Sequence, residues 1–299
     1  MRNPLKLFFL ILFFGPQVLF SQEINKEQLL TDLQYLASNE LQGRKTLTPG
    51  NVLAQQFIKD RFDSLGLSSQ FPDFTQHFNF YNRKEKITYE KAVNLVGFVA
   101  GSEKEDIILI LAHYDHLGKI NEQVFLGADD NASGVAALLQ LAGYFSFERP
   151  LHSMIFAALD AEEMGLHGAK ALLEDFPFDK SQIKLVVNLD MVSRSKDQEL
   201  FAVGTHHYPE LKRPLENVAK NASINLTLGK DIPGTGKEDW SQASDHGPFH
   251  AAGIPFIYFG VEDHEDYHQP TDTFENIDQD FYFEAVKTIL EALREFDAQ

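Results

Sequence analysis

Short apolar runs alternate with helix-like patterns along most of the chain. Five runs rich in Ile, Val and Phe are almost continuously hydrophobic, which suits central strands covered on both faces: AVNLVGFVA, DIILILAH, SMIFAALD, IKLVVNLD and IPFIYFG. Apolar residues recur at helical spacing over residues 26–37, 51–65, 132–145, 166–174, 208–222 and 278–297, and Gly66 is a predicted C-cap. Residues 71–91 predict an edge strand plus a turn. This alternation predicts an α/β fold in which a mixed, mostly parallel central β-sheet is sandwiched between helices.

The N-terminus has the pattern of a secretory leader. Arg2 and Lys6 precede an apolar run that a Gly-Pro pair interrupts. The run is shorter than the ~20 residues that a membrane-spanning helix needs. The sequence therefore predicts a signal peptide over residues 1–21 and a single domain over residues 22–299. We expect the mature protein to be exported, either periplasmic or secreted, with no stable membrane association after cleavage.

Composition excludes several kinds of chemistry. The chain has no cysteine, so thiol catalysis and thiolate metal sites are ruled out. Its net charge of -18 argues against a nucleic-acid partner, because phosphates are bound by clusters of Lys and Arg. The abundant carboxylates are suited instead to binding hard or borderline cations.

Histidines and carboxylates follow the predicted strands at the point where each strand ends. In chain order they are His113, Glu162, Glu163, Asp190 and the pair His264 and His268, while GADDNASG adds Asp129 and Asp130 before a helix. Ligand sites in open α/β sheets lie outside the carboxyl ends of the strands, so these side chains are expected to converge. Carboxylates gathered at one edge repel one another unless cations neutralise them, and the added imidazoles suit Zn²⁺ or a similar metal.

The adjacent pair Glu162 and Glu163 predicts a division of labour. Consecutive side chains on extended backbone point in different directions, so both can hardly bind the same ion. One glutamate could be a metal ligand while the other takes a proton from the attacking water, as metal-assisted hydrolysis requires.

Six stretches resemble the motifs of the M28 family of zinc peptidases, secreted aminopeptidases with two co-catalytic zinc ions. They occur in family order: AHYDHLG (112–118), GADDNASGVAAL (127–138), AEEMGLHGA (161–169), NLDM (188–191), SDHGPF (244–249) and DYHQPTDT (266–273). LQGRKTLTPGN (41–51) is similar to the family's N-terminal segment. The chain lacks the protease-associated insertion that some relatives carry before the first metal histidine.

The resemblance implies two zinc ions per chain and a set of roles. The implied metal ligands are His113 and Asp190 on one ion, Glu163 and His268 on the other, and Asp130 bridging the two. Glu162 would be the general base. Carboxylate-rich sites also accept Mn or Co, so the metal's identity rests on the resemblance.

Other residues are implied to support the site. Asp115 matches a carboxylate that orients the histidine ligand. Tyr267 occupies a position where some members use a tyrosine hydroxyl to polarise the scissile carbonyl, whereas the positions where other members place a tyrosine hold Trp240 and Ser241 here. The remaining assignments are Asp245 and His246 as support, His116 and His264 as rim residues or residues behind the ligands, and Asp129 as either a supporting or a helix-start acid.

Three functions are considered. The leading one is a secreted aminopeptidase acting on peptides with a free N-terminus, whose cationic amine suits an acidic crevice. The alternative is a glutaminyl-peptide cyclotransferase, an acyltransferase that resembles the family in fold but uses a single zinc ion. A non-catalytic peptide-binding relative is disfavoured because the base and ligands are all present.

HEDYH, at residues 264–268, also fits the pattern of a different metalloprotease class. In that reading both histidines bind one zinc from one face of a helix, with Glu265 as base. Pro270 follows closely and disfavours helix, and no apolar stripe supports one. We therefore expect Glu265 to be solvated and the base to lie at Glu162.

Overall fold

The computed structural model describes residues 23–299. The predicted signal peptide at residues 1–21 lies outside the described residues, and its assignment stays a prediction. None of the helices within residues 23–299 has both the length and the hydropathy needed to cross a membrane.

The described chain alternates strands and helices. The strands are β1 Thr75–Asn82, β2 Ile87–Val99, β3 Lys104–His113, β4 Gly118–Ile120, β5 Gln123–Phe125, β6 His152–Leu159, β7 Ile183–Leu189, β8 Glu199–Val203, β9 Asn225–Leu228 and β10 Phe256–Gly260. The α-helices are α1 Lys26–Leu36, α2 Pro49–Ser64, α3 Gly134–Phe147, α4 His167–Glu174, α5 Lys212–Ala219, α6 His246–Ala251 and α7 Gln279–Asp297.

Eight of these strands form one sheet in the order β1-β2-β6-β3-β7-β10-β8-β9. The four central strands β6, β3, β7 and β10 are mutually parallel, as are β8 and β9. The pairs β1-β2, β2-β6 and β10-β8 are antiparallel. The predicted mixed, mostly parallel sheet is confirmed, and four of the five apolar runs are its parallel centre.

Helices cover both faces of the sheet. Along β3, Ile108 and Ile110 join the apolar cluster that contains residues of α1, α2, α3, α5 and α7. The intervening Leu109 and Leu111 join the opposite cluster, which contains residues of α4 and α6. Because successive side chains of a strand point to opposite faces, a continuously apolar strand is buried from both sides.

Most predicted elements are present, but the short ones were missed. Gly66 follows α2 with a φ of +71°, the conformation expected just after a helix C-cap. The helix expected over residues 208–222 is shorter, because a 3-10 turn at Pro209–Leu211 precedes α5. Strands β8 and β9 and helix α6 have only 4 to 6 residues each, too few to show a period.

Candidate metal centre

The parallel strands end at the same edge of the sheet. In the register of the sheet, His113 at the end of β3 pairs with Leu159 of β6, and Phe259 of β10 pairs with Leu189 of β7. The residues that follow these strands are therefore brought side by side, as the sequence predicted.

His113, Asp130 and Asp190 form the first of two clusters. His113 Nε2 lies 3.3 Å from Asp190 Oδ1 and 3.3 Å from Asp130 Oδ1. The other ring nitrogen, Nδ1, donates to the backbone carbonyl of Asp115 at 3.1 Å, so Nε2 is the nitrogen that faces the two carboxylates. Burial acts to lower the pKa of His113, but the negative charges of Asp190 and Glu162 outweigh it and raise that pKa well above its usual value.

Asp130, Glu163, His268 and His116 form the second cluster. His268 Nε2 lies 3.1 Å from Asp130 Oδ2 and 3.4 Å from Glu163 Oε2. His116 Nδ1 lies 2.8 Å from Glu163 Oε1. Burial lowers the pKa of His268, yet its two carboxylate neighbours raise it to about 10 overall.

Asp130 joins the two clusters. Its Oδ1 faces His113 and its Oδ2 faces His268, so a single carboxylate contributes to both groups of candidate ligands. The donors are imidazole nitrogens and carboxylate oxygens, which is the ligand set that zinc uses in proteins without thiolates. Glu163 Oε1 is buried without a hydrogen-bond partner among the described residues, as a ligand atom facing a metal position would be. The residues therefore fit zinc.

Glu162 and Glu163 point to different surroundings, as predicted, although not for the expected reason. The backbone here is a turn rather than extended, because Glu162 O accepts hydrogen bonds from the N–H groups of Gly165 and Leu166 at 2.8 and 2.9 Å. Glu163 faces the second cluster, whereas Glu162 lines a cavity with His113. Burial raises the pKa of Glu162 well above its usual value.

The cavity beside the clusters measures about 90 Å³. Its walls combine polar candidates and apolar side chains: His113, Asp130, Glu162, Asp190, Met191, Trp240, Ala243, Tyr258, Val261, Asp263, Tyr267 and His268. The ring of Tyr267 stacks on that of His268 with centroids 4.0 Å apart. Tyrosine is protonated at neutral pH, and burial raises the pKa of Tyr267 further, so its hydroxyl is a hydrogen-bond donor in a residue that lines the cavity.

The carboxylate of Asp115 contacts the backbone of Glu162 and not His113, the partner that the family resemblance implied. Its carboxylate oxygen lies 3.8 Å from His113 Nδ1, too far for a hydrogen bond, and its backbone carbonyl takes that contact instead. The carboxylate Oδ1 accepts the backbone N–H of Glu162 at 3.0 Å. Asp115 thus touches both the histidine and the proposed base, through different atoms.

Asp272 positions the loop that carries Asp130. Its two carboxylate oxygens accept the backbone N–H groups of Asp129 and Asp130 at 2.9 and 3.1 Å. Asp129 Oδ1 in turn accepts the N–H of Ser193 at 2.7 Å, and its Oδ2 accepts from His264 Nε2 at 2.9 Å. Asp129 and His264 therefore contact each other behind the ligands.

Arg44 holds the end of α1 and two loops together beneath the site. It is fully buried and donates to the carbonyls of Tyr114, Leu36, Leu126 and Gly127 at 2.5 to 2.9 Å. The sequence alone indicates no particular role for Arg44 or Asp272. Both residues nevertheless lie inside stretches that resemble family motifs, LQGRKTLTPGN and DYHQPTDT.

Asp245 and His246 are buried beside the site and belong to neither cluster. The ring of His246 stacks on Phe256 and Tyr258, with centroids 4.6 and 4.9 Å away, and its Nε2 donates to the carbonyl of Trp240 at 2.9 Å. Burial raises the pKa of Asp245 to about 7. Their placement agrees with a supporting role.

HEDYH does not form the helix that the alternative metalloprotease class requires. Residues 265–268 are a turn, so His264 and His268 do not share a helical face. His264 contacts Asp129, while His268 faces Asp130 and Glu163. Glu265 has an 81% exposed side chain and pairs with Arg194. The helical reading is wrong, and the exposure expected for Glu265 is observed.

The family model for peptidase family M28 matches residues 94–293, which include both clusters and Glu162. This chain belongs to peptidase family M28. Among curated relatives of this M28 chain, a probable zinc metalloprotease of Pyrenophora teres f. teres is 31% identical over 274 residues, covering 83% of this chain and 57% of the relative. Aminopeptidase YwaD of Bacillus subtilis is 30% identical over 210 residues, covering 64% of this chain and 42% of the relative. The chain thus spans about half the length of these relatives.

Solved structures share the fold of this M28 chain. The zinc aminopeptidase BSAP of Bacillus subtilis superposes with a TM-score of 0.74 at 17% identity, covering 92% of this chain and 96% of that one. A glutaminyl cyclase of Bacteroides thetaiotaomicron superposes with a TM-score of 0.72 at 18% identity, covering 92% and 99%. At such identities the likeness concerns the fold, which both classes of enzyme share.

Proposed function

We propose that the protein is an aminopeptidase that hydrolyses the N-terminal peptide bond of peptides with two zinc ions. The observation that carries this proposal is the pair of clusters joined by Asp130, with Glu162 in the cavity beside them. His113 and Asp190 would hold one ion, Glu163 and His268 the other, and Asp130 both. Membership of family M28 and the aminopeptidase among the relatives support it.

The chain's own residues supply proton transfer and charge stabilisation. When bound, zinc supplies Lewis-acid activation of the scissile carbonyl and of the attacking water. Glu162, which lines the cavity beside His113, takes the water's proton and delivers it to the leaving amine. The protonated hydroxyl of Tyr267 donates a hydrogen bond to the developing oxyanion.

The cavity also determines which peptides suit the site. Carboxylates line one part of it and attract the cationic free amine of a peptide. Met191, Trp240 and Val261 also line the cavity, and their apolar side chains favour an apolar first residue. We therefore expect a peptide with a free N-terminus and an apolar first residue to be preferred.

A panel of aminoacyl anilides, assayed after metal analysis, tests the proposal. The zinc-loaded protein should hydrolyse leucyl and phenylalanyl anilides and leave their N-acetylated forms intact. Equal cleavage of free and acetylated substrates, or no cleavage by protein shown to contain zinc, would contradict it.

The cyclotransferase alternative is tested with the same protein. A peptide that begins with glutamine loses ammonia and no residue if it is cyclised, but releases free glutamine if the aminopeptidase assignment is right. Mass spectrometry of the products separates the two functions. Export of the mature protein stays a separate prediction, to be tested by fractionating cells that express the full chain.

A further inference from the structure

His116 lies inside the second cluster rather than at its rim. It is 1% exposed, and its Nδ1 lies 2.8 Å from Glu163 Oε1 and 3.7 Å from Asp130 Oδ2. His268 Nε2 lies 3.4 Å from the other oxygen of Glu163, Oε2, and 3.1 Å from Asp130 Oδ2. The two imidazoles thus approach the same pair of carboxylates at similar range.

His116 Nδ1 and Glu163 Oε1 are 2.8 Å apart, a hydrogen-bond distance, but their orientation does not meet the angular requirements of a hydrogen bond, and neither atom has another hydrogen-bond partner within residues 23–299. Burying two such atoms without a well-aligned partner costs about 1–3 kcal/mol each, and an ion bound by both atoms would remove this cost. Two ligands that each bind a tetrahedral zinc ion at 2.0–2.1 Å stand about 3.3 Å apart. The distances from the two imidazoles to the two carboxylates, 2.8 and 3.7 Å for His116 and 3.4 and 3.1 Å for His268, lie on either side of this value.

The backbone fixes the ring of His116 in this place. Gly127 has a φ of +61°, and a Cβ there would come within 2.5 Å of the imidazole Cγ. Arg44 Nη2 donates to the carbonyl of Gly127 at 2.9 Å and so holds that backbone against the ring. Only glycine permits both the conformation and the close approach.

We propose that His116 is a fourth protein ligand of the metal position formed by Asp130, Glu163 and His268. That position would then be closed by protein ligands, whereas the position of His113, Asp130 and Asp190 would keep room for substrate. Among the described residues, all three of the first position, His113, Asp130 and Asp190, line the cavity, whereas only Asp130 and His268 of the four proposed ligands of the second position do so. Closed coordination is typical of structural zinc and open coordination of catalytic zinc.

Metal binding measured without reference to peptide hydrolysis tests this inference. It rests on the two-ion site of the proposed function, so the zinc stoichiometry of the unaltered protein is determined first. His116→Asn and His116→Gln are then titrated with zinc against a competing chelator and examined as their cobalt derivatives. His264→Asn is the matched control, since His264 contacts Asp129 rather than a ligand.

The zinc affinity of one of the two metal positions should weaken by more than about 100-fold in both His116 variants. Loss of a contact that only supports a ligand would weaken it by about 10- to 100-fold. In the His116 variants, the absorption spectrum of cobalt bound at that position should change, while the spectrum of cobalt at the other position should not. The cobalt spectrum of His264→Asn should match that of the unaltered protein. Unaltered affinity and spectrum in a folded His116 variant, or equal weakening of both positions, would overturn the inference. A protein that binds two ions but cleaves no anilide would end the proposed function and leave this assignment in place.

Discussion

The carboxylate of Asp115 accepts a hydrogen bond from the backbone N–H of Glu162 at 3.0 Å. This contact joins the loop after β3 to the turn after β6. It places the proposed base relative to His113, whose Nδ1 donates to the carbonyl of the same Asp115.

Substitution of Asp115 should therefore affect the base more than the metal. Asp115→Ala removes the acceptor for Glu162 but keeps the backbone carbonyl that orients His113. We expect kcat on a leucyl anilide to fall about 10- to 100-fold while the zinc content stays near that of the unaltered protein. Asp115→Asn, which keeps an acceptor oxygen, should lose less. A parallel loss of zinc and activity would mean that the carboxylate serves the metal ligand instead.

Substitutions of Glu162 and Glu265 distinguish the proposed site, where Glu162 is the base, from the helical zinc site in which Glu265 would be the base. Glu162→Gln keeps the side chain's shape but removes the proton acceptor, so kcat should fall by about 10²- to 10⁴-fold. Glu265→Gln changes an exposed residue and should leave kcat unaltered within twofold. Steady-state kinetics of both variants at equal zinc content provide the comparison, and a large loss in Glu265→Gln would contradict the site described above.

Asp130 should matter to both metal positions and Asp190 to one. Asp190→Ala is expected to lower bound zinc from two ions to one, whereas Asp130→Ala should weaken both sites, because each of its oxygens faces a different cluster. Metal analysis after dialysis against a weak chelator measures this difference. Removing the metal with a strong chelator should also lower the melting temperature, since ions that bind only the folded state stabilise it. Identical zinc content in the two variants would count against the bridging role.

Arg44 should be essential for stability because a lysine cannot make its contacts. Arg44→Lys leaves a buried cation with fewer donors for the four carbonyls that the guanidinium binds, and should lower the free energy of unfolding by about 3 kcal/mol. Arg294→Lys, at an exposed ion pair, is the control and should change it by less than about 0.5 kcal/mol. Denaturant unfolding of the zinc-loaded proteins checks both values.

His246 should make the fold sensitive to acid. Burial lowers its pKa from 6.5 to about 3, so between these pH values the unfolded chain binds a proton that the folded chain does not. Stability is therefore lost as the pH falls below 6.5, and this residue accounts for about 2 kcal/mol of that loss by pH 5. His246→Gln should lose correspondingly less between pH 7 and pH 5.

The raised pKa values of Asp160, Asp245 and Asp272 stabilise the folded state as the pH falls, opposite to the effect of His246. These carboxyls are present in both the unaltered protein and His246→Gln, so their contribution cancels in the comparison. His77→Gln, on the edge strand β1, controls for the loss of an exposed histidine. Parallel stability curves for the unaltered protein and His246→Gln would show that burial does not hold His246 neutral.

The sequence by itself determined the class of fold and the edge of the sheet where chemistry occurs. Long apolar runs such as IKLVVNL can be buried only between two layers, and polar residues placed directly after such runs must emerge at their carboxyl ends. His113 and Asp190 follow from this rule alone. Periodicity needs length, however, so β8, β9 and α6 left no readable pattern.

Only the tertiary structure decided which polar atoms meet. The partner of Asp115 depends on where the turn after β6 returns the N–H of Glu162, and the burial of His116 depends on the close approach of Gly127. Arg44 binds three carbonyls, and Asp272 two amides, that are 70 or more residues away in the chain. Such contacts are set by backbone geometry between distant loops, which no local spacing in a sequence specifies.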